Sequence, residues 1–229
     1  MIDAGRSGPL PHAELLLARP DVTQAGVKEP LGPGAVVLRG FAKPVEAALL
    51  AGVQNVAGQA PFRHMVTPGG YHMSAAMTNC GALGWVTDRT GYRYDAIDPE
   101  SGKHWPHMPA SFLRLAEDAA AHAGFDGFVP DACLINRYEP GARLTLHQDK
   151  NERDFGKPIV SVSLGIPAIF LFGGLSRADK TARVLLEHGD VVVWGGPARM
   201  RYHGVNPLKA GHDPLVGGHR INLTFRKAG

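Results

Sequence analysis

From Asp131 to the end of the chain, apolar and polar residues alternate in short runs broken by turn residues. ACLINRY, RLTLHQD, PIVSVSLG, AIFLFGG, RVLLEH, DVVVWGG, RMRYHGV and RINLTFRK each read as a strand, because successive side chains of an extended chain point to opposite faces. Glu-Pro-Gly, Gly-Gly and His-Gly-Asp supply turns between them. So many short strands in succession predict an antiparallel double sheet, the double-stranded β-helix or jelly roll. Upstream, Ala42 to Ala60 and Pro109 to Phe125 carry apolar residues at helical spacing, the second with Ser111 near its start and Gly124 near its end. These helices are expected to cover one outer face, which makes the fold class α+β.

The remaining stretches are less regular. Residues 62–105 combine Gly-rich turns, several aromatics and Met65, Met73 and Met77, with little strand alternation. Residues 1–33 are rich in Gly, Pro and Ala and predict a mobile N-terminal arm. Residues 34–229 are then a single domain with 131–229 as its catalytic core.

Composition narrows the class of protein without naming its task. A chain of 229 residues with 44% hydrophobic and 20% charged residues suits one soluble domain. A net charge of +3 permits a polyanionic partner without requiring one. Cys80 and Cys133 have neither CxxC nor zinc spacing and predict reduced, half-buried thiols in a cytoplasmic protein. The apolar run Leu15-Leu16-Leu17-Ala18 is too short for a signal peptide or a membrane span, so no membrane partner is expected. The chain is expected to act as a monomer.

The candidate chemistry begins in RLTLHQD, where His147 and Asp149 share one strand face. His203, on a late strand, offers a third ligand. Two histidines and one carboxylate bind a metal on one side and leave the other positions open, as non-haem iron(II) oxygenases require. An H-x-D pair alone is a common accident. His188-Gly189-Asp190 is a second copy and reads as a hairpin turn. The last strand adds weight: Arg220, Asn222, Thr224 and Arg226 face one way while Ile221, Leu223 and Phe225 face the other. Such a row is either an exposed edge with solvated arginines or an inward clamp for a dicarboxylate, since Arg binds carboxylates in a two-pronged way. Leu134, Asn136 and Tyr138 share a face of ACLINRY and are placed to join it.

With MVTPGGYHMSAAMTNCGALGW, PDACLINRYEPGARLTLHQDK, PIVSVSLGIPAIF, LLEHGDVVVWGG, YHGVNPLKAG and NLTFR added, the chain resembles the AlkB family of iron(II)- and 2-oxoglutarate-dependent dealkylating dioxygenases. The resemblance runs from about Gly34 to the end. It implies His147, Asp149 and His203 as iron ligands, and Arg220 and Arg226 as holders of the two ends of 2-oxoglutarate, helped by Asn136, Tyr138 and Asn222. It implies a nucleotide-recognition lid over 62–105, with Trp85 stacking on a flipped base opposite His147 and Thr67, Tyr71 and Tyr92 near the substrate backbone. Met77, with Met65 and Met73, would line that lid, core packing being the competing reading. Leu134 would lie against the substrate, and Lys150 and Arg177 would meet phosphate or substrate.

The implied reaction is oxidative dealkylation of 1-methyladenine or 3-methylcytosine in DNA, using iron(II), 2-oxoglutarate and O2 and releasing an aldehyde, succinate and CO2. Asn151 stands where the family pattern has Asp, which brings no negative charge to a cationic base and points to a weaker preference for cationic lesions. Alternatives are action on RNA or etheno-type lesions, a cupin-type metal-binding module, and a nucleic-acid binder without catalysis.

Overall fold

The computed structural model describes residues 26–229. The expected arm over 1–33 therefore lies mostly outside the described residues. Its described part is not an arm, because Lys28–Gly32 forms strand β1, which pairs antiparallel with β2 (Ala35–Leu38). A helix α1 (Glu46–Gln59) follows, then β3 (Ala76–Gly81), a hairpin of β4 (Gly84–Asp88) and β5 (Gly91–Asp95), and α2 (Ala110–His122). The eight expected strands come next: β6 (Ala132–Tyr138), β7 (Leu144–His147), β8 (Ile159–Gly165), β9 (Ala168–Phe172), β10 (Ala182–Leu186), β11 (Val191–Trp194), β12 (His203–Val205) and β13 (Arg220–Arg226).

These strands build a seven-stranded sheet in the order β1-β2-β11-β8-β13-β6-β3 and a four-stranded sheet in the order β10-β9-β12-β7. Every pairing is antiparallel. The double sheet is the expected jelly roll, but its larger half takes β1, β2 and β3 from outside 131–229. β3 corrects the reading of 62–105 in particular. It is an edge strand of the main sheet, paired with β6 from Ala76↔Arg137 to Gly81↔Ala132. Its alternation is hidden because Thr78 and Asn79 are both fully buried. Thr78 donates to the Ala60 carbonyl, and Asn79 bonds the Trp85 backbone both ways. Cys80 and Cys133, expected to be half-buried, are fully enclosed.

Alternation along the central strands decides which side is core. On β8, Val160, Val162 and Leu164 face the helices, where they join Leu49, Val53 and Val56 of α1 and Phe112, Leu115 and Ala119 of α2. Ile221, Leu223 and Phe225 of β13 face the same way. The space between the sheets is filled by Val192 and Trp194 from the large sheet and by Phe170, Phe172 and Val205 from the small one. Next to this apolar filling, the neighbouring strands β8, β13 and β6 turn Ser161, Ser163, Arg220, Asn222, Thr224 and Asn136 inward. Polar side chains on the inner face of a sandwich are costly unless something receives them. That reversal of polarity locates the site.

Candidate metal and cosubstrate centre

His147 ends β7 and His203 begins β12, and the two are direct register partners. Their rings lie 4.4 Å apart between centroids. Gly204 makes the approach possible, since a Cβ there would sit 2.6 Å from the Leu144 carbonyl oxygen. Asp149, just past β7, comes within 3.7 Å of both rings, Oδ1 toward His147 Nε2 and Oδ2 toward His203 Nε2. The three ligand atoms all lie within 4.8 Å of one another.

Backbone geometry selects the tautomer. His147 Nδ1 lies 2.9 Å from the Thr145 carbonyl and His203 Nδ1 lies 3.1 Å from the Arg201 carbonyl. A carbonyl can only accept, so each Nδ1 donates and each Nε2 keeps a lone pair directed at the shared space. Burial, with His147 close by, depresses His203 to about 3, so it is neutral at physiological pH. Burial alone would raise the Asp149 carboxyl, but the Arg226 guanidinium and the two imidazoles hold it well below the usual carboxylate range. Two imidazoles and one carboxylate, converging from one side, suit a divalent first-row metal with open positions.

The two arginines of the expected clamp differ. Arg226 Nη2 lies 2.6 Å from Asp149 Oδ2, and its Nε donates to the same oxygen at 2.8 Å. Its charge is already shared with Asp149 inside the protein, so the two arginines are not equivalent, although both line the same cavity. Arg220 is buried with no carboxylate beside it. Nη2 donates to Ser163 Oγ at 3.0 Å, while Nε and Nη1 have no partner among the described residues. Its guanidinium lies over the Tyr138 ring at 5.2 Å. Burial pulls this guanidinium below its ordinary value, whereas at Arg226 burial is outweighed by Asp149, Tyr94 and Glu152 together, which raise it. Asn136 Oδ1 is also unpartnered, while Asn222 is occupied by Ser161 Oγ, the Val162 carbonyl and Thr224. A buried cation with two free donors, next to a metal-type cluster, fits one carboxylate end of a small anion.

Both groups open into one cavity of about 450 Å³, a size suited to a small ligand plus part of a larger one. Thr67, Met77, Trp85, Tyr92, Leu134, Lys150, Asn151 and Arg177 all line it, with Asn136, Tyr138 and Asn222. Tyr71 does not. It is 78% exposed on the turn before β3, outside the cavity. Met65 is buried in the core and does not line the cavity, so core packing is its role; Met73 does line it. Trp85 stacks on Tyr92 at 5.7 Å and 24°, and donates from Nε1 to Asn151 Oδ1 at 3.3 Å. His188 makes no part of the site. It bonds Gly165 and Glu46 beside the turn at Gly189; the turn is present, but it is not the expected hairpin, because β10 and β11 on its two sides belong to different sheets.

Several site residues carry no signal in the sequence. Glu152 reads as the end of a charged tail, yet it is buried and accepts the Tyr94 hydroxyl. Arg199 is buried and donates to the Asp149 backbone carbonyl. Trp194 packs 4.9 Å from the His203 ring. Ser161 and Ser163 were detectable in principle, since they fall on the inward phase of PIVSVSLG.

The 2OG-Fe(II) oxygenase superfamily model matches residues 34–226. The chain belongs to that superfamily. It is an iron(II)- and 2-oxoglutarate-dependent dioxygenase that uses O2. The alpha-ketoglutarate-dependent dioxygenase AlkB of Salmonella typhimurium is 62% identical over 205 residues, covering 90% of this chain and 95% of that protein. The protein of the same name from Escherichia coli is 62% identical over 202 residues, covering 88% of this chain and 94% of its own length. Among solved structures, OsALKBH1 superposes with a TM-score of 0.79 at 30% identity, over 88% of this chain and 100% of that one. Within this superfamily the expected jelly-roll core, the cosubstrates and the AlkB-type resemblance all stand.

Proposed function

We propose that this dioxygenase removes alkyl groups from the ring nitrogens of nucleobases, as a DNA-repair enzyme of AlkB type. A single observation supports the reading most: the His147/Asp149/His203 cluster, the free donors of Arg220 and the Trp85/Tyr92 stack all face one cavity. Metal, anion and aromatic surface are what such a reaction needs within one enclosure.

His147, Asp149 and His203 would hold iron(II), and Arg220, with Ser163 and Asn136, would hold 2-oxoglutarate. Iron(II) with 2-oxoglutarate and O2 supplies the oxidising step, in which an alkyl C–H becomes C–OH while 2-oxoglutarate becomes succinate and CO2. The remaining work belongs to the protein. Trp85 and Tyr92 present an aromatic face to a base that has left its stack, and a cationic methylated base gains further from that face. Met73 and Met77 form an adaptable wall. Lys150 and Arg177 lie exposed at the cavity mouth, suited to backbone phosphates. The hydroxylated carbon sits on nitrogen as a hemiaminal, which collapses to free base and aldehyde without a strong protein base. No helix among the described residues is long and apolar enough to cross a membrane; a cytoplasmic monomer is part of the proposal.

The test is incubation with iron(II), ascorbate, 2-oxoglutarate and an oligonucleotide bearing 1-methyladenine or 3-methylcytosine. Loss of the methyl mass with matching succinate is the expected result, and His147→Ala abolishes both. Succinate without demethylation of either lesion overturns the repair reading. An RNA strand carrying the same lesions, assayed in parallel, separates DNA from RNA as the preferred substrate.

A further inference from the structure

We propose that Glu152 is a positioning residue that ties the 84–95 hairpin to the Asp149 carboxylate, so that metal binding and seating of the hairpin support each other. The inference rests on the metal-site reading above, but not on the identity of the nucleic-acid substrate.

Glu152 is 6% exposed and holds three groups at once. Oε1 accepts the Tyr94 hydroxyl of β5 at 2.7 Å. The same oxygen lies 3.4 Å from Arg226 Nε, which also bonds Asp149 Oδ2 at 2.8 Å. Arg199 Nη2 stands 3.0 Å from Oε2, out of line for a hydrogen bond, and Arg199 Nη1 donates to the Asp149 carbonyl at 2.9 Å. Two guanidiniums thus face two carboxylates in one enclosed group. Each guanidinium touches Asp149, one at its side chain and one at its backbone, and each is shared with Glu152.

The hairpin reaches the 149–152 segment through few contacts. The Asn151 bonds, to Trp85 Nε1 at 3.3 Å and to the Tyr92 carbonyl at 3.4 Å, are long and exposed. A short hydroxyl bond to an enclosed carboxylate is charge-assisted and much the stronger. Burial also pushes the Tyr94 phenol well above its ordinary value, so it remains a donor. The chain from Tyr94 through Glu152 and Arg226 to Asp149 therefore has no step longer than 3.4 Å. With Glu152 held, Arg226 stays on Oδ2 and leaves Oδ1 as the less engaged oxygen. Fixing Asp149 with a metal in turn fixes Arg226 and Glu152, and with them the acceptor that Tyr94 needs. Linkage makes the two effects equal in size.

The experiment uses the full chain freed of metal and Co(II) as the probe, read by its visible absorption. Amide hydrogen exchange of residues 84–95 is followed with and without Co(II). Co(II) is expected to slow exchange in the wild-type hairpin, and Tyr94→Phe to lose most of that slowing while still binding the ion. Glu152→Gln is expected to weaken Co(II) binding about 10- to 100-fold, the usual effect of removing a group that orients a ligand. Glu139→Gln, an exposed control, should change neither. Equal Co(II)-induced slowing in wild type and Tyr94→Phe overturns the inference, as does wild-type Co(II) affinity in a folded Glu152→Gln. Should Glu152→Gln fail to fold, the Tyr94→Phe comparison decides alone. A wild-type protein that binds no Co(II) overturns the metal-site reading and this inference with it, whereas binding without coupling overturns the inference only.

Discussion

Arg226 grips Asp149 by one oxygen: Nη2 and Nε lie 2.6 and 2.8 Å from Oδ2, in an enclosed setting where the pair has little access to water. Breaking a buried ion pair from one side leaves the other charge uncompensated, which costs about 3–5 kcal/mol. Arg226→Met is therefore expected to lower the stability of the metal-free protein by about that amount and to raise the Asp149 carboxyl. Urea unfolding of the chelated protein, compared with wild type, measures it. A change within about 0.5 kcal/mol, the scatter of ordinary surface substitutions, would count against the pairing.

Arg220 predicts the opposite stability effect. Its Nε and Nη1 have no partner among the described residues, so the protein gains little from the charge by itself. Replacing an unpaired buried cation with an apolar side chain of similar length is neutral or stabilising. Arg220→Met should keep or raise the melting temperature without cosubstrate while weakening 2-oxoglutarate binding about a hundredfold or more. Calorimetric titration and thermal melts of the same sample supply both numbers. Retained affinity would remove Arg220 from the anion site.

Acid should weaken the metal-free protein in two stages. His203 falls from an ordinary 6.5 to about 3 in the fold. Between those values the unfolded chain binds the extra proton, so this contribution is complete above about pH 6.5 and declines as pH falls toward 3. Asp149 and Asp98 are also depressed, although burial opposes the shift in both, through Arg226 and Arg63 respectively. Their contribution holds above the ordinary carboxylate value of 3.8 and is lost only as pH falls below it. Urea midpoints should accordingly fall from pH 7.5 to 4.5 and then more steeply. A flat profile down to pH 4.5 would contradict the depressed His203.

Gly204 should not tolerate a methyl group. A Cβ would stand 2.6 Å from the Leu144 carbonyl oxygen and 3.2 Å from the Leu146 nitrogen, both backbone atoms that cannot swing away. Gly204→Ala must push β12 from β7 and carry His203 with it, at a cost of about 1–3 kcal/mol. Co(II) titration should show weaker binding than wild type. Undiminished affinity would mean that the strands have room to adjust.

Asn151 is the residue on which lesion choice is expected to turn. Its amide already accepts from Trp85 Nε1 and donates to the Tyr92 carbonyl, both over long distances. Asn151→Asp adds a negative charge at the cavity wall without changing size. The ratio of turnover on cationic 3-methylcytosine to turnover on a neutral etheno base should rise in the variant. An unchanged ratio would assign lesion choice elsewhere.

How much of this was readable beforehand depends on whether a residue's neighbours lie on its own strand. RINLTFR announces its two faces by alternation alone, and the helix-facing triplet Ile221, Leu223 and Phe225 is apolar without exception. His147 and Asp149 are likewise two residues apart, at the end of β7 and just past it. Arg226 looked equivalent to Arg220 because nothing along β13 reveals that Asp149 lies opposite one and no acid lies opposite the other. Glu152 was hidden for the same reason, since its partners Tyr94, Arg199 and Arg226 come from three distant segments. β2 and β3 were missed because burial on both faces erases alternation: AVVL and AMTNCG are enclosed almost throughout.

The inward polarity of β8, β13 and β6 has a consequence for how long the protein lasts. Where most sandwiches fill this space with hydrocarbon, this one offers hydroxyls, amides and a guanidinium with two idle donors. A bound anion completes the interior chemically, so cosubstrate acts as a removable piece of core. Saturation at a hundred times its dissociation constant adds about 2.7 kcal/mol to the folded state, enough to alter how often the chain opens to proteases. The lifetime of the enzyme is thereby tied to the supply of the small acid it consumes.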